Sequence, residues 1–159
     1  MTDPVAEREP IHVLARALVV DGSRILLKER LDAGPAYFHL PGGHIEPGET
    51  AAAALVREFR EETGLAVVCG PFAGCLECLF QPRPPGCHGH EYNLVFWADF
   101  TDPPVDPPPQ LEAGVRYRWM PLEDLGGLDL RPRHLLACLP LWFGRREAGA
   151  FQSVRETQA

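Results

Sequence analysis

Apolar positions come first as short, dense runs. Residues 12–20 are mostly apolar and 24–30 resume the pattern, with Asp21-Gly22 between them. Two such runs around an Asp-Gly turn predict a β-hairpin. A brief extended piece is expected over 37–40, stopped by Pro41-Gly42-Gly43, and Pro47-Gly48 marks another turn. The period then changes. Over 50–63 an alanine-rich start leads into a helical pattern in which Ala52, Leu55, Val56, Phe59 and Thr63 gather on one side. Gly64 suits the left-handed residue that ends many helices.

Beyond this helix, 65–68 and 72–80 read as extended, separated by Gly70-Pro71. Residues 81–90 form a Pro/Gly loop, and 92–100 a strong strand. Five prolines within 101–110 exclude regular structure there and predict a surface loop. A further strand is expected over 115–120, and a helix over 132–139 with Pro132 at its tolerated first position. No repeat is visible, and the polar tail after Gly144 carries no assignable pattern. Strands alternating with two helices predict an α/β fold, a mixed sheet covered by helices on both faces.

At 159 residues the chain suits one domain over 1–159, with a core at about 12–141 and an unassigned tail at 142–159. No apolar run is long enough to span a bilayer, and the first ten residues lack a secretory pattern, so a cytoplasmic protein with no membrane partner is expected. A net charge of −7 argues against a stable nucleic-acid partner, though carboxylate-bound cations can reverse the local field for a small anionic substrate. Five cysteines without a secretory signal argue against a disulfide framework.

The predicted helix carries the chemistry. Glu58, Glu61 and Glu62 stand at i, i+3 and i+4 and share one face, next to the apolar side. Three mutually repelling acids away from the helix N-terminus call for a compensating cation. A hard ion such as Mg²⁺ meets that need, and so does a solvated face paired with Arg57 and Arg60.

The surrounding residues distinguish these readings. Gly43, Glu49, Arg57, Glu58, apolar Phe59, Glu61, Glu62, Gly64 and apolar Leu65 follow without departure the signature of the Nudix hydrolase family. The match spans 43–65, with a chance coincidence of about 10⁻⁸ per site. The lead-in His39-Leu40-Pro41-Gly42-Gly43 and the segment around Trp119 and Met120 also resemble that family, extending the likeness over about 13–139.

The resemblance implies a Nudix-type α/β/α sandwich with a mixed β-sheet. It also implies Mg²⁺-dependent (or Mn²⁺-dependent) hydrolysis of a phosphoanhydride in a nucleoside diphosphate linked to another moiety. ADP-ribose, sugar nucleotides and nucleoside triphosphates are the substrate classes in view. By position, Glu58, Glu62 and Glu61 would hold the metal, with the Gly43 backbone carbonyl. Glu61, Glu112 and then Glu91 are the ranked candidates for activating water. Arg57 is grouped with the catalytic residues as a brace of the loop, together with Glu49. Lys28, Arg30, Phe38 and Glu49 are the expected substrate-facing residues, and Tyr37 and Phe80 are further aromatics that could stack on a base. Pro82, Pro84 and Pro85 lie where some family subgroups carry a marker, a slight lean toward ADP-ribose. A homodimer is left open.

Three alternatives remain at this level. Cys75, Cys78, Cys87 and His90 have spacing reminiscent of a zinc site, yet residues three apart on a strand face opposite sides. A Nudix-like domain can also serve as a silent nucleotide sensor, usually with an eroded signature. An isomerase branch exists too, with a differently arranged metal site and a catalytic cysteine.

Overall fold

The computed structural model describes residues 10–32, 34–80, 89–103 and 106–144. Its strands are β1 (His12–Leu18), β2 (Val20–Asp21), β3 (Arg24–Arg30), β4 (Tyr37–His39) and β5 (Gly42–His44). Helix α1 (Ala51–Thr63) follows, then β6 (Val67–Leu79), β7 (His90–Phe100) and β8 (Val115–Pro121), a 3₁₀ turn (Leu122–Gly127) and α2 (Leu135–Phe143).

The strands form two sheets. One is mixed, in the order β5-β1-β7-β6, with β1 parallel to β7 and its other pairings antiparallel. In the other, β3 pairs along its length with β8, while β2 and β4 pair with opposite ends of β3. The expected hairpin is therefore real only where Val20-Asp21 meets Arg24-Ile25. The longer run upstream belongs to the other sheet. Leu14, Ala15, Ala17, Leu18 and Val19 are all buried, which suits a central strand covered on both faces rather than a hairpin arm.

Alternation sorts the core into two layers. Ala15, Ala17, Leu26, Phe96 and Tyr117 point toward α1 and pack on Ala54, Leu55 and Phe59. Leu18, Ile25, Leu27, Val95 and Trp97 point the other way, onto Leu135, Leu139 and Trp142. Helices on both faces of the strand layer give the α/β/α sandwich, and no helix among the described residues is long and apolar enough to cross a membrane.

Two further boundaries shift. The expected break at Gly70-Pro71 is a pair of register irregularities within one strand, β6. As the edge of its sheet, β6 tolerates a residue that cannot donate to the ladder. Helix α2 begins at Leu135, beyond the expected Pro132, whose carbonyl instead accepts from the Leu135 N–H at 2.9 Å. Pro140 lies inside α2 on its exposed side, close to the helix end, where one lost backbone bond is tolerated.

Candidate active site

Each turn of the signature has a local cause. Helix α1 starts at Thr50, whose hydroxyl accepts from the Ala53 N–H at 3.2 Å, and ends at Gly64 with φ 72°. Upstream, β5 is held against β1 through the pairs Ala15↔Gly43 and Arg16↔Gly42. A Cβ on Gly42 would overlap the Ala15 carbonyl, and one on Gly43 would overlap the Glu58 carboxylate. Glycine at both positions lets the loop backbone slide between β1 and the acidic helix.

Arg57 ties this loop to the helix. Its Nε and Nη2 clasp both Glu49 oxygens at 3.1 and 2.7 Å, and Nη2 also donates to the His44 carbonyl at 3.0 Å. Nη1 reaches Glu58 at 3.0 Å and Glu61 at 3.1 Å. This bidentate grip holds the Glu49 carboxyl below its usual range. Glu49 also accepts from the Glu46 N–H at 2.8 Å, so its oxygens brace the loop and are not presented to substrate.

The three helix acids have unlike surroundings. Glu61 is 59% exposed at the rim and Glu58 is mostly covered, whereas Glu62 is buried. The buried arc of α1 comprises Ala51, Ala54, Leu55, Phe59, Glu62 and Thr63. The expected arc used Ala52 and Val56, of which the first is exposed and the second only half-buried. The helix is turned so that Glu62 lies within the buried arc rather than at its edge.

There, Lys28 donates to one Glu62 oxygen and Tyr117 to the other. Lys28 and Tyr117 are cross-strand partners on β3 and β8, so they reach Glu62 from the same side. Burial, partly opposed by Lys28, pushes the Glu62 carboxyl up to about 7. Lys28 also donates to Glu112 at 3.2 Å, and the Leu111 N–H donates to the Glu62 carbonyl at 3.0 Å. The loop acid expected near the site is thus delivered to it by two contacts.

On the opposite face of β1, Arg16 spans from the mixed sheet to the loop. It donates to Asn93 at 3.2 Å, to the Gly42 carbonyl at 2.9 Å and to the Leu40 carbonyl at 3.3 Å. Glu91 lies two residues before Asn93 on β7, and its charge, with those of Glu62 and Glu58, acts on the Arg16 guanidinium. Glu112, in contrast, is in direct contact with the Lys28–Glu62 pair. Arg16 and Tyr117 escaped the sequence reading. A lone arginine inside an apolar strand was the signal for the first. Tyr117 alternates in step with Val115 and Trp119, a pattern that carries no sign of a polar role.

The other expectations divide. Arg30 lies at the strand end and pairs with Asp32, with Glu112 4.0 Å away. Phe38 does not face a ligand: it is 8% exposed and packs in the second core layer with Leu40 and Leu130. On β4 it is the residue that turns inward, while Tyr37 and His39 on either side stay half-buried. Tyr37 is only half-buried, with the Arg131 guanidinium 4.1 Å over its ring. Phe80 binds the Gly89 carbonyl through its backbone N–H at 2.9 Å. Cys87, Pro82, Pro84 and Pro85 lie outside the described residues. Cys75 is exposed and Cys78 buried, on opposite sides of β6. Burial raises the thiols of Cys69, Cys75 and Cys138.

Among the described residues no three acid, histidine or cysteine side chains converge on one point, because Arg57 and Lys28 stand among the carboxylates. The donor chemistry nevertheless fits a hard divalent cation. It is all oxygen, it includes a buried carboxylate that already holds a cation, and Gly43 lets the Glu58 carboxylate lie directly against the loop backbone.

Partly buried His39 lies in the lead-in, with Nδ1 3.4 Å from Arg16. Burial first, and the Arg16 charge second, hold its pKa well below 6.5. The folded protein therefore refuses a proton that the unfolded chain accepts. Stability is full above pH 6.5 and is lost as pH falls below it, by up to about 1.4 kcal/mol per pH unit. Glu62 acts with the opposite sign in metal-free protein, since its raised pKa gives stability that is lost as pH rises through about 7. Denaturant unfolding of wild type and His39→Asn between pH 7 and 5 separates them. The variant should lose less stability on acidification, and equal slopes would remove His39 as the cause.

With the fold and acids in place, the comparisons agree. The NUDIX domain family model matches residues 10–138, and the chain belongs to that family. A solved NUDIX hydrolase from Nitrosomonas europaea superposes with a TM-score of 0.71 at 21% identity, covering 86% of this chain and 91% of that one. The chain is similar to an ADP-ribose pyrophosphatase of Methanocaldococcus jannaschii, 35% identical over 79 residues, covering 50% of this chain and 44% of that enzyme. It is also similar to the CTP pyrophosphohydrolase of Escherichia coli, 30% identical with 55% and 74% covered. The match thus spans less than half the length of the archaeal relative.

Proposed function

We propose that this protein is a Mg²⁺-dependent pyrophosphohydrolase (Mn²⁺ substituting) that cleaves a phosphoanhydride in a nucleoside diphosphate derivative. The observation that carries this reading is a complete signature folded so that Arg57 holds Glu58 and Glu61 while Lys28 holds buried Glu62 and Glu112.

In this reading Glu58 and Glu62, with the Gly43 carbonyl, hold the metal, and Glu61 completes the set or serves beside it. When bound there, a divalent cation would supply charge neutralisation for phosphate oxygens and acidify a water. The protein's part is positional. Arg57 fixes Glu58 and Glu61 while anchoring the loop through Glu49. Exposed Glu61 and loop-borne Glu112 are the groups able to take a proton from water at the rim. Arg30, 4.0 Å from Glu112 and partly exposed, is a cation that would meet an anionic substrate there.

ADP-ribose heads the substrate classes, supported by the name of the archaeal relative and by the prolines after the signature. Sugar nucleotides and nucleoside triphosphates follow. The test is a hydrolysis screen with Mg²⁺ and then Mn²⁺ over these classes, dinucleoside polyphosphates and NADH. One class turned over well above the rest supports the reading. Tight nucleotide binding without turnover would replace it with a sensor.

A further inference from the structure

Lys28 is the feature that the family signature does not account for. It lies outside 43–65, on β3, with its side chain facing α1 beside Leu26. Only 5% of it is exposed, rare for a lysine unless it is paired. Its ammonium group holds an oxygen of buried Glu62 and an oxygen of Glu112 at 3.2 Å, while Tyr117 takes the other Glu62 oxygen. Both oxygens of the most buried acid in the site are thus engaged by protein donors.

We propose that Lys28 is a built-in competitor for the metal: it neutralises Glu62 and Glu112 in the metal-free protein and must yield Glu62 when a divalent cation loads. This inference rests on Glu62 being a metal ligand. Two cations sharing one buried carboxylate repel strongly, because the interaction is poorly screened there. Occupation by Lys28 therefore weakens metal binding relative to a site of the same acids without it. In return the metal-free protein avoids leaving Glu62 as an uncompensated buried charge. Yielding need not take Lys28 far, since Glu112 already holds its ammonium and can keep it. Lys28 is thus a positioning residue that sets the cation concentration at which the site fills.

The experiment is direct binding of Mn²⁺ alone, followed by its paramagnetic resonance signal and by calorimetry, without substrate. Lys28→Met and the more conservative Lys28→Gln should each bind at least about tenfold more tightly than wild type. Lys28→Arg, which keeps the charge, should not. The neutral variants should also melt earlier without metal and regain more stability on adding it. Unchanged or weaker Mn²⁺ binding in both neutral variants overturns the proposal. Failure of both to fold even in saturating Mn²⁺ does so too, since the ion should replace the missing charge. Glu62→Gln separates the two layers of inference. If it loses Mn²⁺ binding while the Lys28 variants match wild type, only this inference fails. If it binds as wild type, the reading of Glu62 as a ligand fails as well.

Discussion

Glu62→Gln is expected to lower turnover roughly 10³-fold at any practical Mg²⁺ concentration while leaving the protein folded. The substitution keeps the shape of the side chain and an oxygen that can accept from Tyr117, but it removes the charge that a hard cation requires. Lys28 retains Glu112 as a partner, so the cost in stability should stay within about 3 kcal/mol. Glu61→Gln should also lose most activity. Because Glu61 is exposed, it should do so without measurable change in stability. Steady-state kinetics on the substrate identified by the screen, with circular dichroism as a fold control, reads both. Near-wild-type rates in the two variants would show that this helix is not the site.

Arg57→Ala should weaken metal activation by about 10- to 100-fold, more than it lowers the rate at saturating metal. Arg57 makes the connections that join loop and helix: both oxygens of Glu49, the His44 carbonyl, Glu58 and Glu61. Without it, Glu58 and Glu61 repel each other and the loop bearing Gly43 loses its anchor. Arg57→Lys should recover only part of the loss, since an ammonium cannot make the planar two-pronged contact with Glu49. A titration of rate against Mg²⁺ for the three proteins separates the effects. A normal midpoint in Arg57→Ala would reduce the clasp to decoration.

Much of this was legible in the sequence because it depends on local spacing. Helix α1 ran almost as expected over 50–63 and stopped at Gly64, since helical periodicity and left-handed termination are properties of a few adjacent residues; Thr50 proved to be its cap. The acids at i, i+3 and i+4 were found for the same reason, and the Arg57–Glu49 brace, implied by the family resemblance, is present. The α/β/α sandwich followed from the order of short apolar runs and two helical stretches. Glu112 was singled out by its place ahead of β8, and it stands beside Lys28.

Partnerships between distant segments are what the chain did not disclose. Periodicity tells which residues alternate, but not which sheet a strand joins, so β1 was assigned to a hairpin that it only approaches. The same limit hid the rotation of α1, because Leu55 and Phe59 belong to both arcs, and only the packing of Ala51 and Ala54, in place of Ala52 and Val56, selects one. That choice buries Glu62. Burial in turn makes Lys28, expected to face substrate, and Tyr117, not singled out, the partners of its two oxygens. The sequence by itself determined the helix, its acids and their bracing arginine, since those interactions close within a few turns of chain. Only the tertiary structure decided which acid is withdrawn from water and which lysine compensates it, because a charge's environment is set by every segment packed around it.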